Sequence, residues 1–157
     1  MQLPLKITVN GDLHEFYVDA STSLLQFVRR QLGLTGSKEG CDDSECGACM
    51  MLVDDRPVNS CSYLALQANG RAITTVEGLA HGAELHPLQS QFADQGGVQC
   101  GYCTSGMLMS AAALLRMNPR PSDEEIRWAL SGNLCRCTGY SKIIEAVKAA
   151  AHEMAST

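Results

Sequence analysis

Eight cysteines are the residues of this sequence whose type and spacing could do chemistry. They fall into two groups of four, which we call the first and second quartets, with none left over. The first quartet is Cys41, Cys46, Cys49 and Cys61, and the second is Cys100, Cys103, Cys135 and Cys137. Four thiolates are a complete ligand set for a tetrahedral metal site or a two-iron cluster. The cysteines therefore predict two metal centres.

The first quartet has the spacing Cys-x4-Cys-x2-Cys-x11-Cys. Its opening matches the plant-type pattern for a [2Fe–2S] cluster, in which one tight loop supplies three ligands. We expect Gly40 and Gly47 to let the backbone approach the sulfurs and turn its N–H groups toward them. Such donors offset the negative charge of a cluster and raise its reduction potential.

The second quartet has the spacing Cys-x2-Cys-x31-Cys-x1-Cys. Each of its two cysteine pairs comes just before a predicted helix. Two helix N-termini would therefore point their free N–H groups and positive dipole ends at one anionic group. This arrangement suits a negatively charged cluster better than disulfides, whose sulfurs carry no charge.

Three other interpretations of the cysteines stay open at this stage. Two structural zinc ions would use the same thiolates, although Cys-x1-Cys and Cys-x4-Cys-x2-Cys are not typical zinc spacings. Four disulfides would need a secreted protein. Redox chemistry at one Cys-x2-Cys motif, of the thioredoxin type, would leave six cysteines unexplained.

Length and charge limit the classes of protein and partner. The chain has 157 residues, enough for one ordinary domain or two small ones. Its formal net charge is −5, and two clusters would bring it to roughly −9 because ligand cysteines bind deprotonated. Nucleic acid is therefore an unsuitable partner. Residues 1–10 lack the apolar core of a signal peptide, so the reducing cytoplasm is predicted. Residues 95–115 carry no charge but are too polar for a membrane span.

The first half of the chain reads as strands with one helix. A hairpin is predicted from Lys6–Val9 to Glu15–Val18 around the turn Asn10-Gly11. A helix capped near Ser21 to Ser23 follows it, and two further strands are predicted at Met50–Val53 and Ala72–Val76, with a turn at Asp54–Pro57 between them. This order predicts a small β-grasp sheet over residues 1–78.

The second half, residues 79–157, reads as four helices. They are predicted at 85–92, 107–117, from the capping box at Ser122 to Gly132, and 141–153. The fold class is therefore α+β, a β-grasp domain followed by a four-helix bundle. Trp128, the single tryptophan, is predicted to lie in the core or to anchor an interface.

The residues around both quartets resemble one family closely. The segments are Gly40-Cys41 with Glu45-Cys-Gly-Ala-Cys49, then Gln99-Cys-Gly-Tyr-Cys-Thr104, and Gly132-Asn-Leu-Cys-Arg-Cys-Thr-Gly-Tyr140. They resemble the small iron–sulfur subunit of the xanthine oxidase family of molybdenum hydroxylases. That family includes carbon monoxide dehydrogenase, quinoline and isoquinoline oxidoreductases, nicotinate dehydrogenase and 4-hydroxybenzoyl-CoA reductase.

The resemblance implies an oxidoreductase subunit without a substrate site of its own. Its N-terminal domain would be plant-ferredoxin-like, and each domain would hold one [2Fe–2S] cluster. Electrons would pass from the molybdopterin centre of a large subunit through the second quartet and then the first to FAD on a medium subunit. The assembly would be a heterotrimer, with dimerisation left open. By the same resemblance, Gln99 and Cys137 would contact the pterin.

Two departures from the family's pattern carry expectations. Ser105 stands where the family commonly has proline, so the start of that helix is expected to be less constrained. Ser44 stands where glycine is common, and a positive φ there would strain its backbone. Two other functions stay open: a stand-alone two-cluster ferredoxin, and an interaction module stabilised by zinc.

Overall fold

The computed structural model describes residues 1–156 and contains one five-stranded mixed sheet and five α-helices. Thr157, the last residue of the predicted second domain, lies outside the described residues. The strands follow the order β2-β1-β5-β3-β4 across the sheet. Their bounds are β1 Gln2–Val9, β2 Asp12–Asp19, β3 Met50–Val53, β4 Arg56–Asn59 and β5 Ala72–Thr74.

The predicted hairpin is confirmed. Strands β1 and β2 pair antiparallel, and Val9 lies opposite Asp12. Asn10 and Gly11 both have positive φ, at 51° and 94°, as a two-residue turn that matches the strand twist requires. The predicted helix is α1, Leu24–Arg30, and the Ser23 side chain caps it by accepting a hydrogen bond from the Gln26 amide.

Strand β4 corrects the prediction of a turn over Asp54–Pro57. The turn consists only of Asp54 and Asp55, both with positive φ, and the chain pairs again from Arg56. Pro57 hid this strand because proline lacks the N–H that a central strand needs. It is tolerated here because β4 is the edge of the sheet.

The second half of the chain is helical, as predicted. The helices are α2 Pro87–Asp94, α3 Thr104–Met117, α4 Asp123–Ala129 and α5 Ser141–Ala155. Helix α3 begins three residues before the predicted 107, directly after Cys103, because small side chains at its start gave no hydrophobic period. Nowhere in residues 1–156 is a helix long and apolar enough to cross a membrane.

Strand β3 lies between two hydrophobic cores. Met51 and Val53 pack into the core formed with α1 and strand β1, whereas Met50 and Leu52 pack into the core of the helices. Successive side chains of a strand point to opposite faces, so all four β3 residues are buried. The helical half is thereby seated on the sheet, and this fixes the cysteines of one half against those of the other.

Candidate metal centres

The first quartet is assembled where the α1–β3 loop meets the end of β4. The loop supplies Cys41 and Cys46, and Cys49 comes directly before β3. Cys61 follows β4, which pairs with β3 and so returns the chain to Cys49. Cys49 and Cys61 are buried, and Cys41 and Cys46 are half-buried.

The backbone of this loop is tightly turned around the sulfurs. Asp42, Ser44 and Gly47 all have positive φ, at 60°, 68° and 70°. The Cys46 amide donates to the Cys41 Sγ over 3.3 Å. A Cβ on Gly40 would lie 2.7 Å from the Cys46 Sγ, so glycine is required for this approach. The loop therefore has the close approach of backbone to sulfur that was expected at Gly40 and Gly47.

Ser44 has the positive φ that was expected to strain it. Its neighbours hold it there: the Asn59 side-chain amide donates to the Ser44 carbonyl over 3.0 Å, and its hydroxyl contacts that of Ser62. Left-handed backbone is costly for residues other than glycine and asparagine. The loop thus depends on contacts with the turn after β4 to keep its shape.

The second quartet lies at helix ends. Cys103 is the N-cap of α3, with Cys100 just before it, and Cys135 and Cys137 lie between α4 and α5. The Thr138 hydroxyl lies 3.0 Å from the Cys135 Sγ, and the Thr138 amide donates to that sulfur over 3.4 Å. The Cys135 amide donates to the Tyr140 hydroxyl over 2.9 Å. Cys100 and Cys137 are exposed, and the other two are half-buried.

In both quartets the thiols meet in twos. Thiol–thiol hydrogen bonding links Cys41 with Cys46 and Cys49 with Cys61. In the second quartet it links Cys100 with Cys137 and Cys103 with Cys135, while charge interactions also connect Cys103 with Cys100 and Cys137 with Cys135. A two-iron cluster takes two thiolates on each iron, whereas one tetrahedral ion needs four ligands around a single point. Among residues 1–156, no three His, Cys, Asp or Glu side chains converge on a position for one ion. The paired donor set fits two-iron clusters.

The thiols within each quartet differ in pKa. Burial raises the pKa of the Cys49 thiol to about 11 and that of Cys103 to about 12. Burial also acts to raise the pKa of Cys135, but hydrogen bonds from the Thr138 hydroxyl and amide hold it below its usual value. Because only thiolates bind metal, cluster assembly must release protons from Cys49 and Cys103 at neutral pH.

Gln99 is exposed beside Cys100, and Cys137 is exposed as well. Trp128 is 81% exposed, so it does not lie in the core; a role as an interface anchor, rather than as an electron relay, stays a prediction. It lines an apolar groove of about 840 Å³, together with Met50, Pro57 and Met117. Asn133, two residues before Cys135, also lines this groove, so the groove and the exposed thiols are surfaces that a partner could cover.

Several contacts between the two quartets' loops were missed by sequence reasoning. The Leu134 amide donates to the Cys46 carbonyl over 2.9 Å, and the Tyr102 hydroxyl donates to the Glu39 carbonyl over 2.5 Å. The side chain of Asn133 also bridges the loops. No periodic or spacing signal marks such contacts, because their partners lie 63 to 88 residues apart.

Comparisons with known proteins agree with this geometry. Residues 7–80 match the family model described as a 2Fe-2S iron-sulfur cluster binding domain, and residues 75–148 match that of a [2Fe-2S] binding domain. The two matches between them include all eight cysteines.

Full-length relatives are similar over nearly the whole chain. The nicotinate dehydrogenase small FeS subunit of Eubacterium barkeri is 45% identical over 155 residues, 99% of each chain. The nicotine 6-hydroxylase small subunit of Paenarthrobacter nicotinovorans is 50% identical over 93% of this chain and 88% of its own. The crystal structure of quinoline 2-oxidoreductase from Pseudomonas putida 86 contains a chain that is 44% identical, with a TM-score of 0.94, covering 99% of this chain and 97% of that one.

Proposed function

Because the chain belongs to the small iron–sulfur subunits of the xanthine oxidase family, we propose that its eight cysteines hold two [2Fe–2S] clusters in a relay between a molybdenum centre and a flavin. It is an electron-transfer subunit of a molybdenum hydroxylase-type complex and carries two 2Fe-2S-binding domains. A [2Fe–2S] cluster accepts and gives up one electron at a time. The paired arrangement of the thiols carries the ligand assignment.

The ligand assignment follows the pairs. Cys41 with Cys46, and Cys49 with Cys61, hold the two irons of one cluster inside a β-grasp, plant-ferredoxin-like domain of residues 1–78. Cys100 with Cys137, and Cys103 with Cys135, hold the other inside a four-helix bundle that begins at residue 79. The positive end of α3 and the donors of Thr138 offset the negative charge of this second site.

The second cluster faces the molybdenum subunit in this proposal. This orientation is supported by the surface position of the second quartet, because Cys100 and Cys137 are exposed and Gln99 lies next to Cys100. Gln99 and Cys137 then contact the pterin of a large subunit. The first cluster serves FAD on a medium subunit, and the three chains form a heterotrimer. We also propose the cytoplasm as the compartment, since thiols stay reduced and available to metal there.

Two matched variants test the direction of the relay. Cys137→Ser removes an exposed cysteine of the second quartet, and Cys41→Ser removes a half-buried cysteine of the first. In the complex purified without oxygen, Cys137→Ser should slow reduction of the clusters by substrate, whereas Cys41→Ser should slow reoxidation by the flavin. Rapid-mixing absorbance measurements separate the two steps. Finding that Cys137→Ser slows only the flavin step would contradict the assigned order.

A further inference from the structure

Asn133 lies two residues before Cys135, in the turn that follows α4, and its side chain is only 2% exposed. Its Nδ2 donates to the Gly47 carbonyl over 3.1 Å. The Ser110 hydroxyl, from the middle of α3, donates to its Oδ1 over 2.7 Å. One buried amide therefore connects the loop of the first quartet, the helix that follows Cys103 and the turn that leads into Cys135.

The surrounding backbone is packed too closely to move independently. A Cβ on Gly47 would overlap the Gly132 carbonyl oxygen, and a Cβ on Gly106 of α3 would overlap the Gly47 carbonyl. The next residue, Leu134, donates its amide to the Cys46 carbonyl over 2.9 Å. Cys46 of the first quartet is thus joined by one backbone hydrogen bond to the residue that precedes Cys135 of the second quartet.

We propose that Asn133 is a positioning residue for electron transfer between the two clusters: its amide holds the Cys46–Gly47 edge at a fixed separation from Cys135. The inference rests on the proposed function. With clusters held by the two quartets, the step would oxidise one Fe²⁺ at the second quartet to Fe³⁺ and reduce one Fe³⁺ at the first quartet to Fe²⁺, one electron passing between them. No proton moves in this step, so the rate depends on the separation and contacts of the two sites.

The amide is the side chain that satisfies both neighbours at once. The Gly47 carbonyl, which also accepts from the Met50 amide over 3.2 Å, takes a second donor from Asn133, while the Ser110 hydroxyl donates and needs an acceptor. An aspartate of the same shape could accept from Ser110 but would face the Gly47 carbonyl with a second acceptor. Asn133→Asp therefore removes the contact between the loops while keeping the size of the side chain.

The experiment uses Asn133→Asp in the complete complex without oxygen: one sample is fully reduced with dithionite for the magnetic measurement, and an oxidised sample is mixed rapidly with reductant for the rate. Iron content and the g-values of each cluster report whether both sites are intact. The magnetic splitting between the two reduced clusters reports their separation, and rapid mixing reports the rate between them. We expect intact iron and g-values, a weaker splitting, and transfer between the clusters slowed about tenfold or more.

Asn118→Asp is the matched control, because Asn118 is half-buried at the end of α3, away from both quartets' loops in sequence, and donates only to the Glu125 side chain from its amide. It should keep the wild-type splitting and rate. Ser110→Ala is the second variant and leaves the Nδ2 donor in place, so it should fold even if Asn133→Asp does not, and give an intermediate loss of splitting and rate.

Wild-type splitting and rate in an iron-loaded Asn133→Asp complex would overturn the inference. If that variant does not assemble, wild-type values in Ser110→Ala would overturn it instead. The proposed function fails separately: a wild-type complex that holds no iron, or shows a single cluster signal, contradicts the relay itself without reference to Asn133.

Discussion

The thiols of the first quartet and those of the second differ in how their sites are closed. In the first, Cys49 and Cys61 are buried, and a loop with three residues at positive φ turns around the sulfurs. In the second, Cys100 and Cys137 are exposed, Cys103 is the N-cap of α3, and Cys135 and Cys137 lie between α4 and α5. The first site is closed by its own loop together with contacts from residues 102 and 132–134, whereas the second is left open on a surface that a partner can cover.

The largest expected effect comes from Gly47→Ala. Gly47 has a φ of 70°, and a Cβ there would overlap the Gly132 carbonyl of the other quartet's segment. The left-handed backbone and the backbone overlap together should cost about 3 kcal/mol of unfolding free energy. Denaturation in urea measures this loss, and iron content should fall at both quartets, because the loop and the segment are packed together.

Gly139→Ala is the matched control in the second quartet's loop. Gly139 also has positive φ, at 65°, but a Cβ there would meet nothing within 4 Å. Only the cost of the left-handed backbone remains, about 1 kcal/mol of unfolding free energy. Equal losses in the two variants would refute the view that the close approach, rather than φ, makes the first loop intolerant.

The features that could be predicted from the sequence are those that depend only on residues close together in the chain. The hairpin at Asn10-Gly11, the α1 cap and the four later helices are local patterns, so spacing and periodicity reveal them. The strain at Ser44 was likewise predictable, because a family pattern with glycine marks a positive φ. These predictions needed no knowledge of which segments touch.

The features that escaped sequence reasoning depend on distant segments. Strand β4 was hidden by Pro57, which is compatible with pairing only because β4 lies at the sheet edge. The bridge at Asn133 joins residues 86 positions apart. Trp128 gave no sign of its exposure, since a tryptophan on a helix suits a core and an interface equally. Each of these features is set by tertiary packing and not by its neighbours in sequence.

Trp128→Ala should produce the second largest effect, on assembly and not on folding. Trp128 is 81% exposed beside the apolar groove, on the side that we assign to partners. Exposed tryptophans that become buried at an interface each contribute about 2 kcal/mol or more to binding, which is roughly a thirtyfold change in Kd. Titration calorimetry with the purified partner subunits measures it, and cluster absorbance should be unchanged.

Tyr17→Ala supplies the control for Trp128. Tyr17 is also an exposed aromatic residue, but it lies on β2, at the opposite edge of the sheet from β4. Its removal should leave the affinity for the partners unchanged. A loss of affinity from Tyr17→Ala that equals the loss from Trp128→Ala would show that the open side is not the preferred docking side.

The rate at which a chelator removes iron should also differ between the two quartets, by a smaller factor. In the isolated chain, a chelator reaches Cys100 and Cys137 directly, whereas Cys49 and Cys61 are buried. We expect the second cluster to be lost about tenfold faster than the first, since removal of a buried metal needs local opening of the structure. Electron paramagnetic resonance at successive times reports each cluster, and in the complete complex the two rates should converge. Faster loss from the first quartet would reverse the comparison.

The smallest expected effect is a change in the free energy of unfolding, and its sign is opposite beside the first quartet and at the start of α3. Ser60 is fully buried beside the first quartet, and its hydroxyl donates to the Cys49 carbonyl over 2.6 Å. Ser60→Ala leaves that carbonyl without its donor, so it should lower the free energy of unfolding by about 1 kcal/mol or more. The first site is closed partly by this bond, and iron at Cys49 should be released more readily in the variant.

Ser105 is buried in the first turn of α3, and its hydroxyl has no hydrogen-bond partner in the described part of the chain. Ser105→Ala makes the same chemical change as Ser60→Ala but removes a desolvated group that nothing satisfies, and alanine also favours the helix. It should raise the free energy of unfolding by up to about 1 kcal/mol. Urea denaturation of both variants gives the two signs. If Ser105→Ala instead destabilises the iron-loaded chain while stabilising the metal-free chain, the hydroxyl bonds to the cluster, and the second site is closed by more than its helix ends.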